Sequence, residues 1–173
     1  VSPHFLEYGM HIEILEKVDI KKITKEVNFV KEHLGLKWKE IQQIGLQGHK
    51  PYLSPHGEWN ASCGRVTSLQ YPENYFKYKL LDIPTINNIM EKYGLVRTRI
   101  MKSMPKTCLS MHHDLSKRIH IPVITNKECF MVIEGKTYYL EPGNVYLTNT
   151  TLQHTAVNAS KNFRIHIVGC MYS

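Results

Sequence analysis

Between residues 96 and 169 the chain passes through seven short stretches of β-type sequence and no helical one. They read VRTRIMKSM, RIHIPVIT, CFMVIE, KTYYLE, VYLTN, HTAVN and FRIHIVG. Each is rich in β-branched or aromatic residues, and TNKE, EGK and EPGN stand between them as closely spaced turn formers. Strands this short, with no helix to carry a crossover, pair antiparallel. They bury a common face only by closing into a sandwich or barrel.

The first half holds the helices. In DIKKITKEVNFVKEHLG the apolar residues Ile20, Ile23, Val27, Val30 and Leu34 recur every three or four positions, with Asp19 as N-cap and Gly35 as stop. A second helix is predicted from about Thr85, through Ile86, Ile89, Met90 and Tyr93, to Gly94. Residues 45–65 between them are rich in Gly, Pro and Ser and have no period. Such a loop is either a lid, with Tyr52, Trp59 and Arg65 as the candidates for substrate contact, or an irregular surface segment. The expected architecture is therefore α+β, mainly β. It is a single domain over 1–173, helical and loop-rich over 1–95, with a jelly-roll core over 96–173 and helices packed against one sheet.

Composition narrows the class further. With 173 residues, 42% hydrophobic and 21% charged, the chain can bury a core without staples. No apolar run reaches membrane-spanning length and no secretory leader pattern is present, so a cytoplasmic location is expected. The scattered Cys63, Cys108, Cys129 and Cys170 form no C-x-x-C pair and read as reduced thiols. The chain begins with Val, and residues 1–9 are expected to be an extension ahead of Met10. A net charge of +7 keeps nucleic acid open as a partner. The basic residues are spread along the chain, however, and its N-terminal lysines alternate with glutamates, so a solvated helix face is the simpler reading.

The chemistry gathers in SMHHDLSKRIHIPV, residues 110–123. Two positions apart on an extended chain, His112 and Asp114 point the same way and can address one ion. His154, opening the late HTAVN strand, is the best third ligand. Two imidazoles and a carboxylate on one face, with the opposite face open, form the ligand set of non-haem ferrous oxygenases. An isolated H-x-D is more often structural, and His113 and His154 read equally well as surface residues. The accompanying residues change the balance. Arg118 and His120 alternate with Ile119 and Ile121 on one strand, and Arg164 lies on another. If these strands line a jelly-roll interior, their arginines need an anionic partner, and a dicarboxylate cosubstrate supplies one. The other reading is a plain half-exposed strand with its Arg/His face in water.

MHHD, RIHIPV, EPGNVYLTNT and HTAVNASKNFRIHIVG together resemble the aspartyl/asparaginyl β-hydroxylase-like group of Fe(II)/2-oxoglutarate dioxygenases, which also holds free-amino-acid hydroxylases such as the cis-acting proline hydroxylases. The resemblance covers roughly residues 96–170. It implies a double-stranded β-helix (a cupin-like jelly roll) and His112, Asp114 and His154 as iron ligands. It further implies Arg164 on the far carboxylate of 2-oxoglutarate, and Arg118 and His120 at the cosubstrate end of the site. O2 is then a cosubstrate and ascorbate a reductant, and the substrate is an amino acid, free or as a peptidyl Asp, Asn or Pro. The animal peptidyl β-hydroxylases of this group have glycine where this chain has Asp114, so the full triad is more similar to bacterial and phage-type members. His113 is left pointing away from the metal, and His166, on Arg164's face, is expected to be packed. A non-catalytic metal-binding jelly roll and a nucleic-acid-directed oxygenase are the alternatives.

Overall fold

Asp19 starts the first helix, its carboxylate accepting from the Lys21 and Lys22 amides at 3.0 and 3.4 Å. This helix, α1, spans Ile20–His33 and ends at Gly35, whose φ of +67° is the left-handed turn that glycine adopts freely. A single turn, α2, spans Pro55–Glu58, and α3 spans Pro84–Lys92 and stops at Gly94. Glu26 of α1 joins the two long helices: its carboxylate accepts from the Thr85 and Ile86 amides, both at 2.9 Å, in the first turn of α3. These observations come from a computed structural model, which describes residues 11–172. The extension expected at 1–9 lies outside them.

Twelve strands follow in chain order: β1 Ile12–Lys17, β2 Gln43–Gly45, β3 Gln47–Gly48, β4 Tyr78–Lys79, β5 Val96–Ser103, β6 Thr107–Cys108, β7 Lys117–Ile124, β8 Cys129–Ile133, β9 Lys136–Tyr138, β10 Asn144–Thr148, β11 His154–Asn158 and β12 Arg164–Met171. They form a six-stranded sheet ordered β1-β10-β7-β12-β5-β2, a four-stranded sheet ordered β6-β11-β8-β9, and the β3-β4 pair. Every pairing is antiparallel. This is the expected jelly roll. The sequence predicts only helix and loop before residue 96, and there the structure differs. IEILEK closes one edge of the large sheet through β10, and Gln43–Gly45 closes the other. Both strands are too short or too charged to read as strands until a neighbour supplies the pairing.

Alternation along the large sheet decides where the core lies. Ile119, Ile121 and Val123 of β7, Ile165 and Ile167 of β12, and Ile100 of β5 turn outward. They pack with Ile23, Val27 and Val30 of α1 and Ile86, Ile89 and Met90 of α3. Each fully buried side chain of this size contributes roughly 1.5–3 kcal/mol. The helices therefore cover one sheet, as expected. A smaller cluster of Ile12, Met131, Ile133, Tyr138, Leu140 and Tyr146 fills one part of the space between the two large sheets. The rest of that interior is polar. Among the described residues no helix is long and apolar enough to cross a membrane, and all four cysteines are free.

The 45–65 segment docks on the sheet edge at Gly45, whose amide donates to the Trp59 carbonyl at 2.7 Å. A β-carbon at Gly45 would meet the Trp59 carbonyl oxygen at 2.5 Å and Ser62 Oγ at 2.3 Å. Gly45→Ala is expected to destabilise the protein by about 1–3 kcal/mol through this overpacking. Urea unfolding of the two proteins measures the difference.

Candidate metal centre

Two of the three ligand candidates are held by one backbone device. His112 and His154 exchange both amide–carbonyl hydrogen bonds, at 3.0 and 2.8 Å, in an isolated antiparallel bridge. The bridge joins the segment leading into β7 of the large sheet to the start of β11 in the small one, and it sets the imidazoles 4.3 Å apart. Asp114 follows two residues on, its amide donating to the Thr150 carbonyl at 2.8 Å. Each ring is then fixed by its other nitrogen. His112 Nδ1 lies 2.7 Å from the Ser110 carbonyl and His154 Nδ1 lies 2.8 Å from that of Leu152. A carbonyl only accepts, so both Nδ1 atoms carry hydrogen and each Nε2 is left to face the cluster. Those Nε2 atoms sit 3.7 and 3.4 Å from the two oxygens of Asp114. One ligand atom from each of the three residues lies within 4.8 Å of the others. The donor set fits a divalent metal bound on one face. His113 is outside it, exposed, with Gln153 Nε2 at 3.3 Å.

The interior beside this cluster is cationic. Arg118, His120, Arg164 and His166 are 5%, 7%, 7% and 3% exposed, which rules out a solvated Arg/His face. Arg118 Nε is paired with Asp114 Oδ2 at 3.2 Å, and its Nη1 reaches Glu73 Oε2 at 3.0 Å and the Cys170 sulfur. The resemblance implied a cosubstrate contact for Arg118, and two of its nitrogens are engaged by carboxylates of its own chain. Burial works to raise the Asp114 pKa, but His154 and Arg118 outweigh it and hold the carboxyl well below the usual carboxylate range.

Glu73 went unpredicted. It sits in a short 3-10 turn, Glu73–Tyr75, and is 2% exposed. Besides Arg118 it accepts from Arg97 Nη1 at 2.7 Å and from the Tyr172 hydroxyl at 2.7 Å. Burial opposes its charge, but Arg118, Tyr172 and Arg97 together bring its pKa down to about 2. Arg97 continues the chain of contacts, donating to the carbonyls of Ser62 at 2.8 Å and Gly64 at 2.6 Å. The 45–65 segment is thus tied toward the metal ligands through its backbone. Its three lid candidates are placed differently: Tyr52 is fully exposed, Arg65 is exposed, and Trp59 packs against the helix-side core.

Arg164 is the contrasting case. Its Nε is buried without a hydrogen-bond partner among the described residues. Burial pushes its pKa down to about 10, offset in part by Cys129. His120 and His166 bring their Nδ1 atoms within 3.0 Å, their rings near perpendicular, and His166 Nε2 is also buried without a partner among the described residues.

The chain belongs to the aspartyl/asparaginyl β-hydroxylase family, which it matches over residues 17–171. It is 27% identical over 96 residues to L-proline cis-4-hydroxylase of Rhizobium meliloti (strain 1021), a match covering 50% of this chain and 34% of that protein. The chain thus spans about a third of the curated relative. Among solved structures it is similar to a non-heme monooxygenase, ThoJ, in complex with nickel, with a TM-score of 0.51, 8% identity and coverage of 95% of this chain and 75% of that one. It is also similar to a 2OG-Fe(II) oxygenase family oxidoreductase from Burkholderia pseudomallei, with a TM-score of 0.45, 17% identity and coverage of 53% and 58%. The first likeness is one of fold and covers nearly the whole chain.

Two outcomes are expected. His112→Ala abolishes binding of one equivalent of divalent metal in calorimetric titration, whereas His113→Ala leaves it intact; the reverse result would show the ligands misassigned. Glu73→Gln destabilises the protein by about 3 kcal/mol at pH 7, the worth of a pKa lowered from 4.5 to about 2. Because the folded value is the lower one, this contribution is present above pH 4.5 and is lost as pH falls toward 2. Unfolding of both proteins at pH 7 and pH 3 should therefore show the gap narrowing.

Proposed function

We propose that the chain is a dioxygenase that takes ferrous iron at His112, Asp114 and His154, takes 2-oxoglutarate between that metal and Arg164, and hydroxylates an amino acid, free or within a peptide. The observation that carries this reading is the buried guanidinium of Arg164. An enclosed cation on the same interior face as a three-ligand cluster calls for an anion, and a forked guanidinium suits a carboxylate. A dicarboxylate meets both needs, one end on the metal and the other on Arg164. Bound together, ferrous iron and 2-oxoglutarate supply oxidative decarboxylation, which delivers oxygen to an unactivated C–H.

The chain's own residues position and exclude. The backbone bridge sets His112 against His154, and their Nδ1–H bonds to carbonyls keep both Nε2 atoms turned inward. Arg118, itself fixed by Glu73, holds one oxygen of Asp114. A carboxylate at this position leaves no vacancy for a halide, which favours hydroxylation over halogenation. The His112 side chain is 39% exposed against 6% for His154, so substrate approaches from the His112 side. The relative's proline hydroxylation supports an amino-acid substrate.

Iron-dependent formation of succinate from 2-oxoglutarate tests the activity. Its absence across an amino-acid panel, together with tight metal binding, would favour a non-catalytic jelly roll instead. Arg164→Ala is expected to weaken 2-oxoglutarate binding by about ten- to a hundredfold, the loss of a charge-assisted bond worth roughly 1.5–3 kcal/mol. Metal affinity should stay unchanged, and Arg164→Lys should recover only part, since an ammonium cannot fork. Unchanged 2-oxoglutarate affinity in Arg164→Ala would remove the clamp.

A further inference from the structure

Two buried imidazoles whose Nδ1 atoms lie 3.0 Å apart hold one hydrogen between them. One Nδ1 donates and the other accepts, and the accepting ring must then carry its hydrogen on Nε2. The two ways of sharing are not equivalent here. If His120 were the donor, His166 would carry its hydrogen on Nε2, which is enclosed and has no partner among the described residues. Orphaned buried N–H groups are rarer and costlier than orphaned lone pairs. If His166 is the donor, its buried Nε2 is a bare lone pair and His120 becomes an Nε2–H donor.

Position gives that donor a use. His120 lies on β7 between the two ends of the site, close enough to sense Arg164 on one side and Asp114, His154 and Arg118 on the other. Burial and the Arg164 charge keep both rings neutral: His120 is lowered to about 3 and His166 well below its ordinary value. A neutral Nε2–H donates to an anion, whereas a neutral ring with a bare Nε2 repels one.

We infer that His166 is a positioning residue: its Nδ1–H fixes His120 in the Nε2–H tautomer, so that His120 offers a hydrogen bond to the carboxylate-bearing cosubstrate spanning the metal ligands and Arg164. This rests on the cosubstrate reading above. It assigns a role to a residue that the sequence marks only as packed on the Arg164 face, and it accounts for a second histidine inside a jelly roll.

The test uses the full chain, loaded with zinc and carrying 15N-labelled histidine. Long-range proton–nitrogen spectra read the tautomer of each ring directly, and calorimetry reads 2-oxoglutarate affinity. In the parent protein His120 should show hydrogen on Nε2 and a bare Nδ1, with His166 the reverse. His166→Leu should release His120 into a mixture of tautomers and weaken 2-oxoglutarate binding by roughly three- to tenfold, the scale of one neutral hydrogen bond, with zinc affinity unchanged. His166→Asn places an amide N–H near the lost Nδ1–H and should restore both readings. Hydrogen on His120 Nδ1 in the parent protein would overturn the assignment, as would an unaltered tautomer and affinity in His166→Leu. A parent protein with the expected tautomers but no affinity for 2-oxoglutarate would sink the cosubstrate reading and leave the histidine pair as assigned.

Discussion

Arginine inside the β-core is the constraint on which the rest of this structure depends. A jelly roll ordinarily fills the space between its sheets with apolar side chains, yet here Arg97, Arg99, Arg118 and Arg164 are all buried on or beside that face. Taking a guanidinium out of water costs several kcal/mol unless its donors are met. The fold answers with specific partners: Glu73 and Asp114 for Arg118, Glu73 and two backbone carbonyls for Arg97, and Gln43 Oε1 for Arg99 at 3.0 Å. Among the described residues Arg164 has no such partner for its Nε, and of the four it is the one left with an unmet buried Nε.

That polar interior explains where the hydrophobic core went. Along β7 and β12 the inward residues include Arg118, His120, Arg164 and His166, so the outward isoleucines carry the apolar packing against α1 and α3. The helices are thus the second wall of the main core and free the first wall for chemistry. The Glu26 cap on α3 keeps the two helices in register as one layer.

Much of this was legible in residue order. Period two in RIHIPV and FRIHIVG exposed both faces of the central strands, and period 3.6 with Asp19 and Gly35 bounded α1 almost to the residue. His112 and Asp114 were readable as a pair because i, i+2 on an extended chain is a geometric statement, and His154 because it opens a late strand; the three do come together. What escaped depends on pairing partners far along the chain. β1 is a strand because β10 lies beside it, and Glu73 is an isolated acid in YPENYF that acquires meaning only when Arg97 and Arg118 converge on it. The 45–65 segment shows the same dependence: Trp59 is drawn to the helix-side core by its apolar surface, and the segment's link toward Glu73 and Arg118 runs through the carbonyls of Ser62 and Gly64.

Those carbonyls complete the physical argument. Arg97 adopts a φ of +50°, a conformation that costs a non-glycine residue about 1–3 kcal/mol and persists only where its surroundings over-determine it. Here they do, since Nε, Nη1 and Nη2 each have a separate partner. The strained residue therefore fixes three things at once: the docked end of the 45–65 segment, the Glu73 carboxylate and, through Glu73, the arginine that steadies Asp114. The geometry of the candidate metal cluster and the placement of the loop are thereby coupled through Arg97, Glu73 and Arg118, although the loop contributes no residue to that cluster.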